Sequence, residues 1–272
     1  MHNLTVSRTM IRILVVTAAC LWLGLGASPA QAFSSGSTGA NGVFNPTCAP
    51  TPCTVTVSVP ASGVFNYTTV TIPSGVTVKY TPNVANTPIT ILATGNVLIQ
   101  GTLDLRGGDG LPYPQRATGG PGGFPGGEGA SPNNVIPARD GTGPGGGRPI
   151  TGQRNALYGA SASFVSLTPL VGGSGGAGAV AQSATVGGDS GAGGAGAIVI
   201  ASTTSINVSN VGPGTIQAGG GVSGAGSAGG GSGGAIRLVA PSVSCGGNIL
   251  TDGGSGQSGS GESGRVRLEA SS

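Results

Sequence analysis

Apolar residues in this chain recur at every second position, in short bursts separated by glycine. Ile236-Arg237-Leu238-Val239-Ala240 is one burst, and Ile89-Thr90-Ile91-Leu92-Ala93, Ile198-Val199-Ile200-Ala201-Ser202 and Val266-Arg267-Leu268-Glu269-Ala270 share its frame. A period of two places one residue set on a buried face and the other toward solvent, the signature of a strand. In three of the four, a second apolar pair follows seven or eight residues later: Val97 and Ile99, Ile206 and Val208, Val243 and Cys245. A third short strand comes next, at Leu103-Asp104-Leu105, Ile216-Gln217-Ala218 and Ile249-Leu250-Thr251, and each then runs into glycine. A less regular copy precedes them, with Val70/Ile72 and Val76/Val78 turning at Pro73-Ser74-Gly75.

Three short strands and a glycine-rich excursion, repeated, cannot bury an apolar face alone but can do so when stacked. The expected fold is all-β: a short parallel β-helix, or β-solenoid, of about four rungs, about 20 Å tall at the usual strand spacing. The excursions leave after the third strand and return before the first, so they emerge along one edge. Their GG-X triplets, such as Gly172-Gly173-Ser174-Gly175-Gly176-Ala177, suit packing as polyglycine II helices, three residues per turn. Flexible loops are the competing expectation, because ordering glycine costs entropy with little apolar burial in return. Residues 111–160, rich in Pro, Arg and Asn, are expected to form irregular loop.

Composition sharpens this picture. Of 272 residues, 57 are Gly and 19 Pro, and 7% are charged, far from an ordinary globular domain. The N-terminus carries Arg8 and Arg12 before an apolar run from Ile13 to Gly26, and Ala30-Gln31-Ala32 closes a cleavage pattern. Residues 1–32 therefore read as a signal peptide cut after Ala32, which implies a secreted or cell-surface protein. No later stretch is apolar and long enough to form a transmembrane segment. Residues 33–63 form an N-terminal segment and candidate cap. Residues 64–272 form the solenoid, with the insertion at about 107–195.

Cleavage would remove His2, the only histidine, and leave nine basic against eight acidic residues. Histidine-based catalysis and histidine-ligated metals are thereby excluded from the mature chain, and its charge does not suit nucleic acid. Lys79, the only lysine, stands in no phosphate-loop pattern; no cofactor is expected. Cys48 and Cys53 suit a small disulfide loop in an exported protein. Cys245 aligns with Ile99 and Val208 and is expected as a buried free thiol, with a disulfide to Cys48 or Cys53 as the lesser alternative.

Two groups of residues could carry chemistry. Asp104, Arg106 and Asp109 stand together in "LDLRGGDG"; paired carboxylates can act on polysaccharides as acid and base, or hold Ca²⁺. The plainer reading makes Asp104 and Arg106 outward strand residues and puts Asp109 in a turn. Arg237 and Arg267 fall on the same outward position of neighbouring rungs. They form either an anion site or a like-charge pair that Glu269 relieves, with the last strand's charges guarding an edge.

The stretches "TTVTIPSGVTVKY…ITILATGNVLIQGTLDLRGGDG", "GSGGAIRLVA" and "ESGRVRLEA" resemble glycine-rich secreted bacterial proteins with a right-handed parallel β-helix, of the pectin-lyase-like and filamentous-adhesin type. The resemblance rests on pattern over about residues 64–110 and 194–270, and no catalytic signature accompanies it. It implies an exported, non-enzymatic structural, surface or adhesion scaffold, with an extracellular glycan or surface as partner and end-to-end self-association as a further mode. A carbohydrate-active or glycan-binding module using Asp104 and Asp109 is the alternative. A binder of ice or another ordered surface would need a flat Thr-rich face; Thr69, Thr71 and Thr77 suggest one, but the later rungs are not expected to repeat them.

Overall fold

A computed structural model of the chain describes residues 32–149, 155–157, 167–212, 214–224 and 226–270. Residues 1–31 of the proposed signal peptide lie outside them. Among the described residues no helix is long and apolar enough to cross a membrane.

Fifteen strands run in chain order: β1 (Val43–Phe44), β2 (Cys53–Ser58), β3 (Val64–Tyr67), β4 (Thr69–Ile72), β5 (Val76–Thr81), β6 (Ile89–Ala93), β7 (Val97–Ile99), β8 (Thr102–Asp104), β9 (Ala197–Ser202), β10 (Ser205–Val208), β11 (Thr215–Gln217), β12 (Ala235–Ala240), β13 (Ser242–Cys245), β14 (Asn248–Leu250) and β15 (Arg265–Ala270). They form three five-stranded sheets: β1-β4-β7-β10-β13, β2-β5-β8-β11-β14 and β3-β6-β9-β12-β15. Each sheet takes every third strand and every pair is parallel, so the chain coils as a parallel β-helix. Four complete turns are flanked by β1 and β2 before them and by β15 after them. The coil thus begins before residue 64, where the pattern alone placed its start. β2 pairs with β5 along its whole length, and its period-two alternation is interrupted on either side by Pro50, Pro52 and Pro60.

The register follows the apolar alternation. Ile89, Ile198, Ile236 and Val266 are successive partners in one sheet, and so are Ile91, Ile200, Leu238 and Leu268. Val70, Val97, Ile206 and Val243 stack in the second, and Val78, Leu103, Ile216 and Ile249 in the third. Apart from Val266 and Leu268 on the last strand, their side chains belong to or pack against one core. A slip by one residue would turn each set outward, which is why the pattern specifies the register. At the N-terminal end the core is aromatic: Phe44 and Phe65 both stack on Tyr67, at 5.0 and 5.7 Å between centroids, and Phe65 also meets Tyr80 at 5.8 Å. Cys48 and Cys53 are joined in a disulfide beside them.

Cys245 corrects the expectation of a buried thiol. It is free and exposed. Its register partner is Val208, as the alignment required, but β13 is the last strand of its sheet, so no further rung covers it.

The excursions are ordered, and glycine is the reason. Segments 122–130, 171–180 and 187–196 close a triangle of backbone hydrogen bonds. Phe124, Gly127 and Ala130 N–H donate to Gly173, Gly176 and Ala179; Gly173, Gly176 and Ala179 donate to Ala195, Ala192 and Asp189; Gly188, Gly191 and Gly194 donate back to Ala130, Gly127 and Phe124. The three-residue spacing is that of the polyglycine II helix. Segment 187–196 also donates from Ser190, Gly193 and Gly196 to Leu111, Gly108 and Leu105, and from Ala192 and Ala195 to Gly229 and Ser232. One extended segment therefore bonds in three directions, which demands interchain distances that a Cβ would block. An added Cβ on Gly126, Gly176 or Gly191 would fall inside a neighbouring carbonyl. Within residues 111–149 the chain is less irregular than expected, because 117–130 and 139–147 join the bundle. Proline there is compatible, since its fixed φ is that of the extended helix and only some N–H groups are used.

Candidate functional site

The predicted residues Asp104, Arg106 and Asp109 line one cavity of about 350 Å³. Part of its lining comes from the outward column of a sheet, where Lys79 and Asp104 are register partners. Its walls are Gly107-Gly108, Thr118–Pro121, Gly220 and Val222, all from the glycine segments. Coil and bundle meet here because every excursion leaves from the same corner.

Inside the cavity the charges are committed. Asp104 points outward from β8 yet is only 5% exposed. The Arg106 guanidinium grips it bidentately, Nε to Oδ1 at 3.0 Å and the second nitrogen to Oδ2 at 2.9 Å, and the Arg106 backbone N–H adds a bond to Oδ1 at 3.0 Å. Burial pushes the Asp104 carboxyl up, but the hydrogen bonds and charge of Arg106, with the charge of Lys79, outweigh it and hold the group below the usual aspartate range. Arg106 is raised in turn, by its hydrogen bond to Asp104 above all. Asp109 Oδ1 accepts the Val222 N–H at 2.8 Å. It lies in an extended bundle segment between Gly107 and Gly110, whose N–H groups donate to Gly219 and Val222; the expected turn is absent. The site can present two fixed carboxylates and two cations to a polar ligand. General acid catalysis needs a carboxyl held protonated, and Asp104 is held in the opposite state. Among the described residues no three His, Cys, Asp or Glu side chains converge.

Arg237 and Arg267 are direct register partners, as expected. Glu269 answers both. Its Oε1 accepts Arg237 Nε at 2.6 Å and Arg267 Nε at 2.7 Å, and its Oε2 takes Arg237 at 3.1 Å. The pair is therefore a bridged triad, with less free charge for an anion than two bare guanidiniums would offer.

The threonines also need correction. Thr77 is repeated in neighbouring rungs, in a column of Thr54, Thr77, Thr102 and Thr215. The column was missed because only register alignment brings these residues together. The adjacent outward column holds Thr56, Lys79, Asp104 and Gln217, so the sheet carries one threonine file and no threonine plane.

A feature that the sequence reading did not single out lies at the far end of the bundle. Loop tips near residues 111, 135, 180–186 and 222 lie side by side. Asn134 Oδ1 accepts the Ala181 N–H at 2.9 Å, Gly110 N–H donates to Val222, and Ser190 N–H to Leu111. Leu111, Val135, Ile136, Val180, Val186 and Val222 are exposed there, Val135 to 80%. The available signal was isolated aliphatic residues inside glycine-rich sequence, where no strand exists to bury them.

Fold and sites together define a parallel β-solenoid that carries a laterally hydrogen-bonded polyglycine bundle. Comparison with protein-family models, with curated proteins and with solved structures returns no match.

Proposed function

We propose that this chain is an exported, non-enzymatic scaffold of the surface or adhesion type, which holds a charge-poor aliphatic tip at the end of a rigid bundle. The observation that carries the reading is the cluster of exposed aliphatic side chains on loops whose stems are locked by backbone hydrogen bonds. Contiguous exposed apolar patches are uncommon unless they contact something, and a pre-ordered stem lowers the entropy cost of binding. The disulfide between Cys48 and Cys53 and the leader-like N-terminus support export. The partner class is a weakly charged extracellular surface, with a glycan as the leading case.

The test combines a glycan array with electron microscopy of the secreted protein. Val135→Asp with Val186→Asp is expected to abolish surface or glycan binding while leaving the melting temperature unchanged. Binding that survives both substitutions would refute the role of the tip. A second reading, in which the cavity at Asp104 and Asp109 holds a sugar, is favoured by its polar lining. It predicts instead that Asp109→Asn lowers glycan binding. Polysaccharide cleavage lost in Asp104→Asn would make the protein an enzyme.

A further inference from the structure

The two ends of the solenoid differ, and the difference does not depend on the reading of the tip. At the N-terminal end, Phe44 with its stacked neighbours and the Cys48–Cys53 loop fill the interior of the first turn. At the C-terminal end, β13, β14 and β15 are the last strands of their sheets, and among the described residues no further strand pairs with their outer edges, a ready template for another chain. The inward side chains there are open. Val266 is 42% and Leu268 49% exposed, whereas their partners Ile236 and Leu238 one rung below are fully buried. Cys245, at an inward position of β13, is exposed as well.

We propose that this end face is closed by the same face of a second copy of the chain, through antiparallel pairing of β15 with the partner's β15 about Leu268. The charge pattern selects this occupant and this orientation. Outward positions of β15 on either side of Leu268 are Arg267 and Glu269. Antiparallel pairing centred on Leu268 sets Arg267 opposite the second copy's Glu269 and Glu269 opposite its Arg267, while Leu268 meets its own counterpart on the inner face. Directly opposed unlike charges are favourable cross-strand pairs. Among the described residues Glu269 Oε2 takes only Arg237, so it retains acceptor capacity. Head-to-tail stacking is obstructed, because the outer edge of β3 is already taken: Asn41 N–H donates to the Asn66 carbonyl, and Asn66 N–H donates to Asn41 Oδ1. A face that pairs with itself about a two-fold axis closes at two copies.

Sedimentation of the purified chain from about 0.5 to about 100 μM, with thiol labelling of Cys245 at each concentration, tests this. The expected result is a mass that doubles and then stops, with labelling slowed at least tenfold as the dimer forms. Leu268→Asp should stay monomeric, label at the monomer rate and keep its melting temperature at low concentration. Glu269→Arg and Arg267→Glu should each be monomeric alone and recover the dimer mass when mixed, because the mixture restores every opposed pair. The recovery separates a failed interface from a failed fold. A wild-type chain that is monomeric at the highest concentration with a reactive Cys245 would overturn the proposal. Growth past two copies, or a mixture that stays monomeric, would do the same.

Discussion

Replacing Gly191 by Ala tests whether the bundle is held by lateral backbone bonds. A Cβ at this position would lie 2.6 Å from the Ala177 carbonyl oxygen and closer still to that of Gly176. An ordinary C···O approach is about 3.3–3.6 Å, so segments 171–180 and 187–196 must separate by more than an ångström. Overpacking of this kind costs about 1–3 kcal/mol. Two hydrogen bonds lie next to the clash, Gly191 N–H to Gly127 and Gly127 N–H to Gly176, both at 2.8 Å, and weakening them adds about 0.5–1.5 kcal/mol each. A net loss of about 3 kcal/mol lowers the melting temperature by roughly 6–12 °C in a chain of this size. Gly219 is the matched control: a Cβ there meets nothing closer than the Asp252 carbonyl oxygen at 3.4 Å. Gly219→Ala should be neutral or stabilising by up to about 1 kcal/mol, through the unfolded state. Thermal denaturation followed by circular dichroism reads both, and amide exchange locates the loss in 124–130 and 173–179. If Gly191→Ala melted at or above the wild-type temperature, the excursions would be loops and the bundle reasoning would fail.

Three further outcomes follow from individual groups. Asp104→Asn should cost about 1–3 kcal/mol, the range for hydrogen bonds to charged groups, because Arg106 can turn to solvent once released. The folded carboxyl titrates below an unfolded aspartate, near 3.9, so its stabilisation is complete above that pH and lost as pH falls through the folded pKa. The stability gap between wild type and variant should therefore narrow in denaturation curves as the pH falls from about 6 toward and below about 3. Tyr80 is buried with a hydroxyl that has no hydrogen-bond partner among the described residues, so Tyr80→Phe should raise stability by up to about 1 kcal/mol; a clear loss in urea titration would mean that the hydroxyl is bonded. Replacing both Cys48 and Cys53 by Ala should cost about 2 kcal/mol, the chain-entropy value for so short a loop, read as a fall in the urea midpoint.

Most of the coil was legible in the sequence. The stacking of Ile198 on Ile236 and Val266, and of Val97 on Ile206 and Val243, follows from apolar period two, since a strand shows its buried face in its own residues. The same local rule brought Asp104 and Arg106 to one side of β8 and Arg237 beside Arg267. It could not say that Cys245 would be open, because exposure depends on whether another rung follows, and that is a property of the stack.

The sequence by itself determined a parallel β-solenoid, its register and its excursions, because each rung writes its inward and outward faces in alternating side chains. Tertiary structure alone decided that the glycine segments cross-bond into a bundle, since glycine carries no side-chain pattern and its order comes from neighbours far along the chain. It also decided that Asp109 joins Asp104 and Lys79 around one cavity, that four threonines align, and that aliphatic tips gather at the distal end. Each is a meeting of segments whose separation in space is set by lateral hydrogen bonds, and no local period encodes it.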